Sequence, residues 1–231
     1  MHFEVLKVRL HSLKDFAKHY LMIVLSILTA LGLEAWIEHA HHTHAAEAAS
    51  QQIEAEIRAN LAETDAALRQ EVVQLGRLEK IRDAVTRDLR ANEPDDVIGQ
   101  HILDLTKDNF DLNLHFPTLR HEAWDVAVAN QSASWIEHDS MQRYSVAYAR
   151  QRDILTSMNA DIALLMNGTG MVDTIADLRT GSVQPRAFLH VVSQMTAMTG
   201  QTVNQLRRLE KQLREAVPGG DQGTAQATPA G

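Results

Sequence analysis

Apolar positions along this chain fall into four patterns, and each implies a different element. Residues 19–33 contain no Asp, Glu, Lys or Arg, and Phe16 and Ala17 before them and Ala35, Trp36 and Ile37 after them lengthen the run. As a helix, residues 16–37 cover about 33 Å at 1.5 Å per residue, enough for a hydrocarbon core of about 30 Å. Lys18 can snorkel its ammonium to the headgroups. Tyr20 and Trp36 stand near the two ends, where amphipathic rings prefer the interface. Glu34 is the weak point, close to the outer boundary and not in mid-bilayer. Residues 34–38 (Glu-Ala-Trp-Ile-Glu) lack the small residues of a cleavage site, so the run reads as an uncleaved anchor.

The second pattern is helical. Only Gly32 and Gly76 interrupt residues 1–93, and the first proline is Pro94, so the membrane helix is expected to continue to about Asn92. Ile53, Ile57, Leu61, Thr64, Leu68, Val72 and Leu75 step by a mean near 3.67, and Leu78, Ile81, Val85 and Leu89 carry the stripe on. That period predicts a helix that is straight or slightly right-handed in supercoil, with a solvated Glu-, Gln- and Arg-rich back.

The third pattern alternates. Phe110, Leu112, Leu114 and Phe116 are separated by Asp111, Asn113 and His115, a period of two without a partner strand, which predicts an extended connector lying on the bundle. The fourth is a heptad. Phe188, Val192, Met195, Thr199, Thr202, Leu206, Leu209 and Leu213 alternate steps of 4 and 3, after Pro185 in a helix's first turn. Between them, Thr118 is expected to cap a helix over residues 119–130, and Asp139 a long one to about Asn167. The long helix turns Met141, Tyr144, Tyr148, Leu155, Met158, Ile162 and Leu165 inward. Asp95 or Asp96 is expected to cap a short helix from Val97, and residues 171–179 read as a short helix or turn. The fold class is therefore all-α: a transmembrane helix continuing into a long helix, packed in an antiparallel bundle. The divisions are residues 1–15 (a basic segment), 16–37 (the span), 38–92 (the long helix), 93–217 (the bundle region) and 218–231 (a tail without apolar residues to order it).

Charge orients the span. Lys7, Arg9, Lys14 and Lys18 precede the uncharged stretch 19–33 and the next cation is Arg58, so the N-terminus is expected in the cytoplasm and the rest outside. Residues 19–231 carry 18 basic and 28 acidic groups, which argues against nucleic acid as a partner. The absence of cysteine excludes disulfides, thiolate nucleophiles and Cys-based metal sites.

Candidate chemistry is sparse. Glu38, His39, His41, His42 and His44 cluster just past the span, and their i,i+3 and i,i+4 spacings suit zinc, copper, nickel or pH sensing as well as a hydrated collar without a ligand. No metal or other cofactor is assigned. Residues 121–125 (His-Glu-Ala-Trp-Asp) open like a zincin motif, but Asp125 stands where the second histidine belongs. Trp124, Val128, Trp135 and Ile136 read as core. Gly168-x-Gly170 is too short for a phosphate loop and follows no strand. Residues 130–132 and 167–169 match glycosylation sequons, which occur often by chance. Ser26 and Ala30 form a small-xxx-small pair, a weak cue for helix association.

Residues 119–150, with Glu122-Ala123-Trp124-Asp125-x-x-x-Ala129 and then Tyr144-x-x-x-Tyr148-Ala149, and Glu34-Ala35-Trp36 at the span, carry a loose resemblance. The chain resembles bacterial single-pass inner-membrane proteins with a short N-terminal anchor and a helical ectodomain. The resemblance implies a bacterial cytoplasmic membrane and carries over no activity and no catalytic residue. The expected role is a non-enzymatic periplasmic interaction or scaffold module, meeting the lipid bilayer and a protein partner or a second copy. The alternative is a sensory ectodomain binding a small ligand or metal between helices.

Overall fold

The computed structural model describes residues 13–107, 110, 112–166 and 169–217, and it is all-helical, without strands among them. The expected basic segment (apart from its last residues), the tail and the 167–169 sequon's first two positions lie outside the described residues. Helix α1 is unbroken over Leu13–Arg90, 78 residues or about 117 Å. Helices α2 (Asp95–Thr106), α3 (Glu122–Ala129), α4 (His138–Met166), α5 (Thr169–Thr180) and α6 (Pro185–Ala216) follow, with a 3-10 turn at Ser132–Trp135.

Paired contacts trace the path. After α1 the chain reverses at Asn92, whose φ of 56° puts it in the left-handed region, and α2 packs back on the end of α1, with His101 Nδ1 2.6 Å from Asp88. The alternating segment then descends α1 in extended form. Phe110 meets Phe188 near the far end, His115 meets Glu71, Arg120 meets Asn60, and Ala123 meets Glu56. Helix α3 continues downward to the 3-10 turn. Helix α4 climbs again, with Tyr144 at Glu54, Tyr148 at Glu56 and Gln151 at Asn60. Helix α6 descends, antiparallel to α1, with Gly200 against Leu75 and Arg214 bonded to Asp65 at 3.1 Å. The connector with α3 thus takes the place of a full-length second helix.

The heptad stripe of α6 is inward throughout: all eight positions are buried. On α1 the expected register is corrected. The buried positions are Ile53, Ile57, Asn60, Thr64, Ala67, Glu71, Gln74, Leu78, Ile81 and Val85, which alternate steps of 4 and 3. This is a heptad matched to α6, not a 3.67-residue stripe, so a right-handed supercoil is no longer expected. Val72 is 41% exposed, because Glu71 takes the inward position beside it. The two apolar clusters that result are separate. One gathers Ile53, Ile57, Tyr144, Met158, Leu206 and Leu209, and the other Leu78, Ile98, Ile102, Phe188 and Met195. Between them lies a polar belt of buried Glu71, Gln74, Thr199 and Thr202.

Three expected caps are replaced. Helix α2 starts at Asp95, with Pro94 before it and its carbonyl accepting from Val97 and Ile98 at 3.0 Å; Asp95 and Asp96 lie in the first turn, where they favour the helix dipole. Helix α3 starts only at Glu122, after His121, because Arg120 is held extended by Asn60. Helix α4 is capped by Glu137, whose carboxylate accepts from the backbone N–H groups of Asp139 and Ser140 at 2.9 Å, which holds its pKa below the usual carboxylate value. Ile162, expected inward, is 37% exposed; Ile154 is buried and Leu155 only half-buried.

One helix among the described residues, α1, is long and apolar enough to cross a membrane. Its most apolar 18-residue window has a mean hydropathy of 1.9, and none of that window is buried. Phe16, Tyr20, Leu21, Ile27, Leu31 and Trp36 all project with no protein packed on them.

Candidate functional sites

Polar side chains tie the lower bundle together. Asn60, wholly buried, accepts from the Arg120 N–H at 2.8 Å through Oδ1 and donates through Nδ2 to the Arg120 carbonyl at 2.8 Å and to Gln151 Oε1 at 3.0 Å. Gln151 Nε2 donates to the same carbonyl at 2.7 Å. A backbone peptide is thereby satisfied on both sides without secondary structure, which is what a buried extended segment requires. One turn below, the Tyr148 hydroxyl donates to Glu56, whose other oxygen accepts from the Ala123 N–H at 2.9 Å, and the Tyr144 hydroxyl donates to Glu54 at 2.9 Å. Burial first, and then the neighbouring carboxylates, push the Tyr144 phenol up to about 12 and the Tyr148 phenol higher still. Both remain protonated donors at neutral pH.

Beside this network α3 and α4 form a cleft of about 360 Å³ lined by His121, Trp124, Tyr148, Arg152, Leu155 and Asn159, among others. Trp124 stacks on Tyr148 with ring centroids 5.2 Å apart. The zincin-like residues resolve into a dyad, His121 Nδ1 lying 2.7 Å from Asp125 Oδ2. The hydrogen bond to Asp125 raises the imidazole's pKa above its ordinary value, against a smaller opposing effect of desolvation. The pair can hold or pass a proton at an exposed edge. Trp124 is half-buried against the core as expected, whereas Val128 is exposed.

The juxtamembrane candidates lie along one continuous stretch of α1. His42 Nε2 is 3.6 Å from Glu38 and His44 Nδ1 is 3.8 Å from Glu47. His39 and His42 line a cleft of about 420 Å³ with Trp135, Ile136 and Glu137, while His41 faces solvent. Among the described residues no three His, Asp or Glu side chains converge on a point that suits a metal ion. Ile136 is buried as expected. Trp135 is not: it is 51% exposed, with its indole stacked on His42 at 3.8 Å between centroids and 12° between planes. The sequence marked both Trp135 and the histidines and did not show that the turn brings them face to face.

A further feature was hidden in the polar back of the α1 stripe. Glu71 is wholly buried, accepts the backbone N–H of His115, and lies 3.1 Å from its ring Nδ1. The heptad position of Glu71 was the available signal, masked by Val72 next to it.

The fold and these sites define an all-α bundle carried on one long helix whose apolar end projects beyond it. Comparison with protein-family models, with curated proteins and with solved structures gives no match for this chain.

Proposed function

We propose that this chain is a single-pass membrane protein whose helical bundle stands outside the bacterial inner membrane as a non-enzymatic interaction or scaffold module. The observation that carries the reading is the exposed apolar length of α1, a span's worth of side chains with no protein packed on them, continuous with the packed part of the same helix. Bare apolar surface of that extent is stable in lipid and not in water. The cations at one end of the run support a cytoplasmic N-terminus, and the loose resemblance to bacterial anchored proteins supports the inner membrane. A partner or a second copy on the periplasmic side is part of this proposal; the heptads of α1 and α6 are buried against each other, so it would meet the outer surface of the bundle.

Because the chain has no cysteine, single cysteines report topology directly. Ser12→Cys and Glu93→Cys should behave oppositely toward a membrane-impermeant maleimide on spheroplasts. Glu93→Cys should label in intact spheroplasts and Ser12→Cys only after lysis. The reverse pattern would overturn the orientation, and recovery of the full chain in the aqueous fraction without detergent would overturn the anchor.

A second reading, a small-ligand ectodomain, is favoured by the cleft at Trp124 and Arg152. A thermal-shift screen of the full chain in detergent with small metabolites and divalent metals tests it. Stabilisation that Arg152→Ala abolishes would support it, and the absence of any response would remove it.

A further inference from the structure

We infer that the turn at the base of the bundle inserts Trp135 into the headgroup layer of the same bilayer that α1 crosses, so that the protein meets the membrane at two points. This rests on the reading of α1 as the anchor and adds a lipid-contacting site in a different part of the chain.

The turn is built to hold one aromatic ring outward. Gln131, at φ 64°, stops α3 in the left-handed region, and the 3-10 turn Ser132–Trp135 follows. Ser132, Ala133 and Ile136 are buried, so the turn is fixed to the bundle on three sides while Trp135 is 51% exposed between them. Stacking on His42 holds the indole side-on against α1. Val128, at the end of α3 just before the turn, is also exposed.

Height along α1 says what covers this ring. His42 is five residues beyond Ile37, or about 7.5 Å at 1.5 Å per residue. The interfacial layer occupies about 5–7.5 Å on each side of the hydrocarbon core. Trp135 lines one cleft with His39, two residues beyond Ile37, as well as stacking on His42. The unbroken helix therefore sets the ring over the stretch from about 3 to about 7.5 Å past the span, within the headgroup layer and above Trp36, which is itself exposed. An indole, with its apolar face and one N–H donor, is the side chain that this layer selects. Among the described residues no other part of the bundle is seen as near to the apolar end: Arg214, in the last turn of α6, is bonded to Asp65, and Tyr144 of α4 to Glu54. Glu47 and Glu137 line the cleft beside Trp135 and Glu38 lies 3.6 Å from His42, and their charge opposes attraction to anionic lipid. The surface therefore fits a zwitterionic headgroup layer entered by the ring, not a charge-driven contact with acidic lipid.

The test uses the full chain in phosphatidylcholine vesicles and two single-tryptophan variants. One keeps Trp135 (Trp36→Phe with Trp124→Phe) and the other keeps Trp36 (Trp124→Phe with Trp135→Phe), each checked for native helix content by circular dichroism. Quenching is read with a nitroxide on the lipid headgroup, with bromine at set acyl depths, and with aqueous acrylamide. Trp135 should lose most of its emission to the headgroup quencher, respond weakly to the deep acyl label, and be shielded from acrylamide relative to the same variant in detergent. Trp36 should respond to the shallow acyl label. If Trp36 is quenched by lipid while Trp135 stays open to acrylamide and untouched by lipid quenchers, the inference fails and the anchor stands. If neither responds to lipid, both fail. If Trp135 is shielded from acrylamide and from lipid alike, and the shielding grows with the protein-to-lipid ratio, a second copy covers the turn and the inference is overturned.

Discussion

Asn60 decides where a segment sixty residues away must lie. Its amide is wholly buried and satisfies both polar groups of the Arg120 peptide, with Gln151 as the third member. Replacing it by Leu leaves the Arg120 N–H and Gln151 short of partners, and each buried orphan costs about 1–3 kcal/mol. Asn60→Leu should therefore destabilise the full chain in detergent by roughly 2–4 kcal/mol, read as a fall in the urea midpoint. The hydroxyls of Thr199 and Thr202 present the opposite case: both are buried without a hydrogen-bond partner among the described residues. Thr199→Val keeps the shape and removes the desolvated hydroxyl, so it should stabilise by about 1 kcal/mol, seen as a higher Tm. His121 gives a pH prediction. Its folded pKa lies above the ordinary 6.5, chiefly through the hydrogen bond that its ring N–H donates to Asp125. The dyad's stabilisation is thus fully present below about pH 6.5 and is lost as pH rises through the higher folded value. The ring is exposed, so the effect on stability is small, and titration by NMR is the proper readout. Asp125→Asn should bring the His121 midpoint down.

At the scale of elements, the α1–α6 contact carries the bundle. Both helices present heptads, and the apolar residues of that seam are buried at both ends. Leu209 is wholly buried, so Leu209→Ala should cost about 2–5 kcal/mol and lower the Tm. Helix α6 was legible because its inward positions are apolar or Thr from end to end. Helix α1 was legible as a helix and not in its register. Asn60, Glu71 and Gln74 occupy inward heptad positions, so the apolar residues beside them, Leu61, Val72 and Leu75, drew a stripe of longer period. Hydrophobicity reports burial only where buried groups are apolar. The caps failed for a related reason. Thr118 is a good cap residue, but the hold of Asn60 on Arg120 delays α3 to Glu122. Asp139 is one as well, but Glu137 accepts from the N–H groups of Asp139 and Ser140, so the helix already begins at His138 and Asp139 falls inside its first turn.

For the whole molecule, one unbroken helix joins the packed bundle to the bare apolar stretch. Bundle and apolar end share α1 without a break, so any tilt imposed on one is passed to the other. Amine-reactive crosslinking in native membranes should yield a complex containing a second copy or a distinct protein, as the scaffold reading requires. A strictly monomeric species without partners would count against that reading. The same continuity makes the base of the bundle a defined height above the apolar end, which is why an exposed ring there has meaning that an isolated exposed ring lacks.

The sequence by itself determined what depends on composition and period: an all-helical chain, an apolar run long enough to cross lipid with its cations on one side, an extended connector and the register of α6. These follow from local sterics and from sorting side chains between water and an apolar phase, which a pattern along the chain records. Tertiary structure alone decided the register of α1, the burial of Asn60 and Glu71, and the outward turn of Trp135 onto His42. Each of these depends on partners far away in the chain, because a polar group can enter a core only when a distant group satisfies it, and a large ring can stay outside only when its neighbours hold it there.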